Sequence, residues 1–195
     1  MLKNLLRNST IILASGSPRR QQFFKDLDLN FTIELKEIEE IYPDHLQAEE
    51  ISDYLAELKA NAFSQLNPKD ILITSDTIVW YNHNALGKPK NLEEASKMIR
   101  SLSGDTHDVI TSVCFKTTRQ TILINNTTKV TFKELTTEEI EYYVNTYNPI
   151  DKAGAYGIQE WIGLIGITNI QGSYFNVMGL PTHLVYEMLT TLAEH

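Results

Sequence analysis

The sequence predicts a mixed α/β fold, a long β-sheet with flanking helices, on three observations. Short apolar runs of strand type, such as Ile11–Leu13 and Ile71–Trp80, alternate with amphipathic stretches of helical period. Two longer β-type runs, Val109–Lys116 and Thr121–Phe132, follow each other with Thr117–Gln120 as their connection. Strands and helices alternate without the even spacing of a doubly wound sheet, which favours mixed strand directions. A chain of 195 residues suffices for one domain with a full core, or for two small lobes sharing a cleft. We read 1–195 as a single domain.

The first element is the strand Ile11–Leu13. Ala14, Ser15 and Gly16 follow, small enough for a tight turn or close approach to a ligand. Ser17 has the character of an N-cap and Pro18 of a first helical residue, with Phe23, Phe24 and Leu27 on one face. A strand, a small-residue turn and a helix N-terminus make an anion seat, and Arg19 and Arg20 add forked donors suited to phosphate oxygens. Taken alone, this segment fits an ordinary βα turn with solvated arginines somewhat better, and the remainder of the chain changes that balance. Asn30–Leu35 alternates as a strand, then an acidic stretch holds Glu37, Glu39 and Glu40. Gln47–Gln65 carries a helical stripe (Ile51, Leu55, Leu58, Ala62) stopped by Asn67-Pro68. After Ile71–Trp80, Asn82-His83-Asn84 predicts a hairpin turn into Ala85 and Leu86, and Gly87-Lys88-Pro89 closes that piece. Asn91–Leu102 is a helix capped by Asn91. Past the two long strands, Thr136–Tyr143 is a short helix with a capping box from Thr136 and Glu139. Asn148–Ile158 is a loop rich in Gly and Ala, Trp161–Ile170 an apolar stretch broken by two glycines, and Gly172–Pro181 a second glycine-bounded loop. Leu184–Leu192 is a closing amphipathic helix.

Composition narrows the function classes. A net charge of −8 disfavours a generic nucleic-acid binder, so the placement of the 17 Lys and Arg matters more than their number. One cysteine, Cys114, rules out an internal disulfide and a Cys-based zinc site. It lies between Val113 and Phe115, as a core thiol would. His45, His83, His107, His183 and His195 show no metal-ligand spacing. The apolar run after the N-terminus is too short for a signal peptide and nothing approaches a membrane span, so the expected location is cytoplasmic. Walker-type and Gly-x-Ser-x-Gly motifs are both absent.

Among candidate site residues, Asp76 stands in the middle of an apolar strand, where a carboxylate is costly unless paired or bound to a cation. Ser75 and Thr77 offer it a purely structural explanation. Lys59 lies on an acid-rich helix and reads as an i,i+4 partner. Lys88 is presented from a turn that Gly87 and Pro89 define. Asp151–Gln159 is the densest run of polar and small residues, with Gln159 offering both acceptor and donors. Residue chemistry alone reaches a phosphate-ester or nucleotide site and stops there.

Leu13-Ala14-Ser15-Gly16-Ser17-Pro18-Arg19-Arg20, Ser75-Asp76-Thr77, Gly87-Lys88-Pro89, Ser103-Gly104-x-x-His107-x-Val109-x-Thr111, Asp151–Gln159 and Gly172-Ser173-Tyr174-x-Asn176-Val177-x-Gly179-Leu180-Pro181 together resemble the Maf family of nucleoside triphosphate pyrophosphatases. These six blocks run in family order along nearly the whole chain. The resemblance implies a fold related to inosine triphosphate pyrophosphatases, with two lobes around a cleft. It further implies α–β phosphoanhydride hydrolysis, yielding a monophosphate and pyrophosphate, with Mg²⁺ or Mn²⁺ as cofactor. Position by position it makes Asp76 the general base and, with Glu40, a metal ligand. Lys59 and Lys88 become its site lysines, and Ser15, Ser17, Arg19, Arg20, Thr77 and Gln159 fall at substrate-binding positions. Arg19, Thr77 and Gln159 match the branch resembling dTTP/UTP pyrophosphatases, whereas the 7-methyl-GTP branch carries tryptophan at the first of these. A homodimer is likewise implied by the family. Gln22 and Ser112 depart from the pattern, replacing a usual glutamate and a common glycine.

With these roles, the cations would hold the β- and γ-phosphates and Asp76 would take a proton from water. Gln159 would pair with the C=O and N–H edge shared by thymine and uracil. The rival from another class is a nucleotide-binding regulator of septum formation that does not turn over. Two further alternatives are a phosphatase acting on the γ-phosphate and a structural domain.

Overall fold

A computed structural model describes residues 2–193; His195 therefore lies outside the described residues. The chain divides into two compact units, one of Met1–Asp76, Thr111–Asn126 and Gly179–His195, the other of Thr77–Ile110 and Thr127–Met178. Strands β1 (Thr10–Leu13), β2 (Phe31–Ile33), β3 (Asp70–Tyr81), β4 (Asn84–Leu86), β5 (Thr106–Lys116), β6 (Thr121–Phe132) and β7 (Ile167–Gln171) form a seven-stranded sheet. Its order is β2-β1-β3-β5-β6-β7, with β4 paired to β3. β1 runs parallel to both β2 and β3, while β3–β4 and β6–β7 are antiparallel, so the sheet is mixed as the sequence predicts.

In the first unit, a short helix α1 (Leu2–Leu5) precedes β1, whose Ile11, Ile12 and Leu13 are all buried. Helix α2 (Pro18–Asp26) starts where expected: the Ser17 side chain accepts from the Arg20 N–H, and Pro18 occupies the first turn. β2 is shorter than the predicted 30–35. It pairs with β1, and Thr32 and Ile33 are exposed. Helix α3 (Glu49–Asn61) buries Ile51, Leu55, Ala56 and Ala60, and its small alanines pack with Ile12, Leu72, Phe63 and Cys114. It ends short of the predicted Gln65, and lysines from elsewhere take the carbonyls at its end and just beyond it. Lys116 Nζ donates to Ala60 O at 3.1 Å and Phe63 O at 3.2 Å, and Lys36 Nζ to Ala62 O at 2.8 Å.

In the second unit the β3–β4 hairpin turns at Asn82 and His83, both at positive φ, as a two-residue turn matched to strand twist requires. Helix α4 (Leu92–Leu102) is capped by Asn91, which accepts from the Glu94 N–H at 2.9 Å. Helix α5 (Thr137–Tyr147) opens on the predicted Thr136–Glu139 capping box but runs one turn past Tyr143. It stops only where Asn148 turns left-handed at φ 45°. Two 3-10 turns (Pro149–Asp151 and Ala153–Ala155) fill the following loop. The glycine-broken apolar stretch resolves into helix α6 (Trp161–Gly166) and β7. A short helix α7 (Tyr174–Val177) sits in the last glycine-bounded loop, where buried Asn176 donates to Val109 O and Thr128 Oγ1, both at 3.0 Å. The core of this unit joins Val79, Ile99, Leu102, Val130, Phe132, Ile140 and Tyr143. Helix α8 (Thr182–Ala193), in the first unit, closes the chain with Val185 and Leu189 buried. No helix among the described residues is long and apolar enough to cross a membrane.

Candidate active site

Asp76 sits well inside β3, 7 % exposed. A carboxylate so placed needs a partner, and it has one: Lys59 Nζ, from the last turn of α3, donates to Asp76 Oδ1 at 2.6 Å. The same ammonium lies 3.0 Å from Glu40 Oε1. One lysine thus gathers two acids from two other segments of the first unit. The local i,i+4 role open to Lys59 is not the one it plays. The alternative account of Asp76 fails in part as well, because the buried Ser75 Oγ makes no hydrogen bond.

Arg20 approaches the same place from the first turn of α2. Its Nε donates to Gly179 O at 2.8 Å and its Nη1 to Ser75 O at 3.0 Å. Burial pulls this guanidinium down from its ordinary value while Asp76 and Glu40 draw it up, and it stays charged. Two of its three nitrogens hold backbone, so Arg20 spans the site as a strut. Neither carbonyl acceptor was legible in the sequence, since any residue supplies one. Arg19 is half-buried beside it.

Between β1 and α2, the Ser17 N–H donates to Ser15 Oγ at 3.3 Å, and Gln21 Nε2 donates to Ser15 O at 3.1 Å. Ser15 is buried and Ser17 half-buried, so both serve the turn itself. Gly16 is exposed and a Cβ there would meet Leu35 only at 3.6 Å, which leaves the loop open toward solvent. Gln22 bonds Asp26 Oδ1 at 2.7 Å on the outer face of α2. Ser112 has a structural use: its buried hydroxyl donates to Asp53 Oδ1 at 2.6 Å and meets Ser52 Oγ at 2.7 Å, tying α3 to β5.

The second unit carries Thr77, Lys88 and Gln159. Thr77 is half-buried on β3 and Lys88 is exposed in its turn. The Gly154 N–H donates to Gly87 O at 3.1 Å, which fastens that turn to the Ala153–Ala155 segment. Gln159 is half-buried in a tight turn whose supports were missed at the level of sequence. They are Tyr143, Lys152 and Glu160, where Lys152 Nζ lies 2.8 Å from Asp151 and 3.2 Å from Glu160. His107 is also inside this unit, its Nε2 2.7 Å from Tyr156 Oη, and burial lowers its pKa to about 4. Burial raises the Cys114 thiol to about 11, which fits a core residue and not a nucleophile. Among the described residues no three His, Cys, Asp or Glu side chains gather in a group able to hold a metal.

The mixed sheet with its flanking helices places the chain in a known class of α/β folds. The Ham1 protein of Staphylococcus aureus matches with a TM-score of 0.53 at 16 % identity, over 94 % of this chain and 100 % of that one. A Ham1 protein from Coxiella burnetii gives 0.51 at 14 % identity, over 94 % and 99 %. Within that class the chain belongs to the Maf-like protein family, whose pattern it matches over residues 10–192. A Flavobacterium johnsoniae protein named dTTP/UTP pyrophosphatase is 64 % identical over 193 residues, 98 % of this chain and 100 % of its own length. One of the same name from Flavobacterium psychrophilum is 62 % identical, over 95 % and 96 %. A Phocaeicola vulgatus protein, again so named, is 50 % identical over 98 % and 100 %.

Proposed function

We propose that this chain is a nucleoside triphosphate pyrophosphatase that hydrolyses the α–β phosphoanhydride of dTTP and UTP to the monophosphate and pyrophosphate. Clearing unwanted or modified nucleotides from the cytoplasm is the role this activity suits. The observation that carries the chemistry is the Lys59 ammonium shared by Asp76 and Glu40. Relatives bearing the name dTTP/UTP pyrophosphatase, 64 % and 62 % identical over almost the full chain, support the substrate.

In this reading Asp76 takes the proton of the attacking water. Lys59 holds and orients that carboxylate and lends positive charge to the reacting phosphates. Arg19 and the N-terminus of α2 face phosphate oxygens, with Ser15 and Ser17 shaping the turn. Arg20, placed by sequence among the phosphate-binding arginines, is assigned to holding Ser75 and Gly179 with its charge toward the acids. Lys88 contributes a further cation, and Thr77 and Gln159 serve the nucleoside, Gln159 through the edge common to thymine and uracil.

Glu40 and Asp76 fit a divalent cation: they are hard oxygen donors converging on one point, now taken by an ammonium. Mg²⁺ and Mn²⁺ are commonly held by one or two carboxylates with phosphate and water completing the shell. Bound there, the cation would screen phosphate charge and acidify a coordinated water.

The test is a nucleotide panel with Mg²⁺ or Mn²⁺ and identification of products. Monophosphate and pyrophosphate from dTTP and UTP over many turnovers are expected. Diphosphate and phosphate would make it a γ-phosphatase, and tight binding without turnover would make it a nucleotide-binding regulator.

A further inference from the structure

Gln159 occupies the third position of a four-residue turn closed by the Glu160 N–H donating to Gly157 O at 3.0 Å. A single hydroxyl grips this turn on both sides. Tyr143 Oη, from the middle of α5, accepts the Gly157 N–H at 3.0 Å and donates to the Glu160 carboxylate. Tyr143 is fully buried, and Lys152, only 8 % exposed, pairs with the other oxygen of Glu160 at 3.2 Å. The residue just before the turn is tied down too, by the bond between Tyr156 Oη and His107 Nε2.

Close approach reinforces the grip. A Cβ on Gly157 would lie 2.8 Å from Glu160 Cδ and 3.1 Å from Gln159 Nε2, so both side chains fold back over that glycine. A Cβ on Gly163 would lie 1.9 Å from Ile158 O, so α6 packs directly onto the turn. A glutamine side chain is long and costly to order. Its amide can be registered against a base edge only if the backbone beneath it is held within a fraction of an ångström. The phenol is well suited to such support because its ring is rigid. Burial together with Glu160 pushes its pKa far upward, keeping the proton on oxygen.

We propose that Tyr143, with Glu160 and Lys152, is the positioning group for the base-reading turn, and that its hydroxyl sets the preference for thymine and uracil nucleotides. This rests on the base-reading role of Gln159 proposed above.

The experiment compares wild type, Tyr143→Phe, Glu160→Gln and Glu160→Ala. It measures kcat and KM for dTTP and UTP, and inhibition by tripolyphosphate, which has no base. For Tyr143→Phe, KM for both nucleotides should rise about tenfold, with kcat within about twofold of wild type and tripolyphosphate inhibition unchanged. Glu160→Gln keeps an acceptor for the hydroxyl but gives up the charge that Lys152 pairs with, so it should raise KM less than Glu160→Ala, which should follow Tyr143→Phe. Equal losses for tripolyphosphate and nucleotides, or unchanged KM, would overturn the proposal. If Tyr143→Phe does not fold, the two Glu160 variants decide, and identical KM values for them would refute it. Wild-type protein that releases no pyrophosphate from dTTP or UTP would instead remove the functional reading itself.

Discussion

Lys59 Nζ stands 2.6 Å from Asp76 Oδ1 and 3.0 Å from Glu40 Oε1, so one ammonium is the common partner of two carboxylates. Their side chains are 17 %, 10 % and 44 % exposed respectively. Asp76 thus meets a cationic partner in a mostly buried place, and Glu40 brings the solvent side of the cluster.

Asp76→Asn keeps shape and removes the base, so pyrophosphate release from dTTP should fall about 10³-fold with the circular dichroism spectrum unchanged. Lys59→Met should cost about 10²-fold in kcat. Turnover near wild type in either variant, measured with a coupled pyrophosphate assay, would remove that residue from the chemistry.

Arg20→Lys retains a charge but not a fork. A lysine ammonium cannot reproduce the Nε and Nη1 bonds to Gly179 O and Ser75 O. Loss of one such charge-assisted bond should lower stability by about 2 kcal/mol, seen as a lower urea midpoint with an unaltered slope. A midpoint equal to wild type would mean the strut is dispensable.

Gln159→Glu exchanges the amide's donor for an acceptor. Against the C=O and N–H edge of thymine or uracil, kcat/KM should drop about 10²-fold for dTTP and UTP. Inhibition by tripolyphosphate should barely change. A uniform loss across both would place Gln159 outside base recognition.

His107 predicts a pH dependence of stability. Burial lowers its folded pKa from 6.5 to about 4, against the opposing pull of Asp105 and Asp108. As pH falls below 6.5 the unfolded chain binds this proton before the folded one does. The contribution is therefore complete above pH 6.5 and lost between 6.5 and about 4, a loss of about 3 kcal/mol. Urea titrations across that interval should show the decline, and His107→Gln should flatten it; parallel curves for the two proteins would contradict the assignment.

Secondary structure was legible wherever its cause is local. The Ser17–Pro18 helix start, the Asn91 cap and the Thr136–Glu139 capping box stand where the sequence places them, and the predicted Asn82-His83-Asn84 turn narrows to Asn82–His83 because Asn84 already pairs with Tyr81. The misjudged boundaries lie where non-local contacts are made. α3 ends early where Lys116 and Lys36 meet its end, and β2 is cut back to the three residues that pair with β1.

The candidate site was legible as a set of residues and not as an arrangement. Asp76 announced itself as a carboxylate inside an apolar strand, but Lys59 looked like a surface partner of its own helix's acids. Arg20 looked like a ligand-facing arginine and is engaged with the backbone of two other segments. Tyr143 carried no signal, because a tyrosine on the buried stripe of a helix reads as core.

What the sequence determines by itself is where helices begin, where strands run and which residue types are out of place in them, because caps, turns and hydrophobic period act over a few residues. Tertiary structure alone decides who meets whom: Lys59 with Asp76 across 17 residues, Tyr143 with Gly157 across 14, Arg20 with Gly179 across 159. Such pairs are chosen by the packing that brings their elements together. A buried charge or N–H must find its partner in that packing or cost more than the fold can spare.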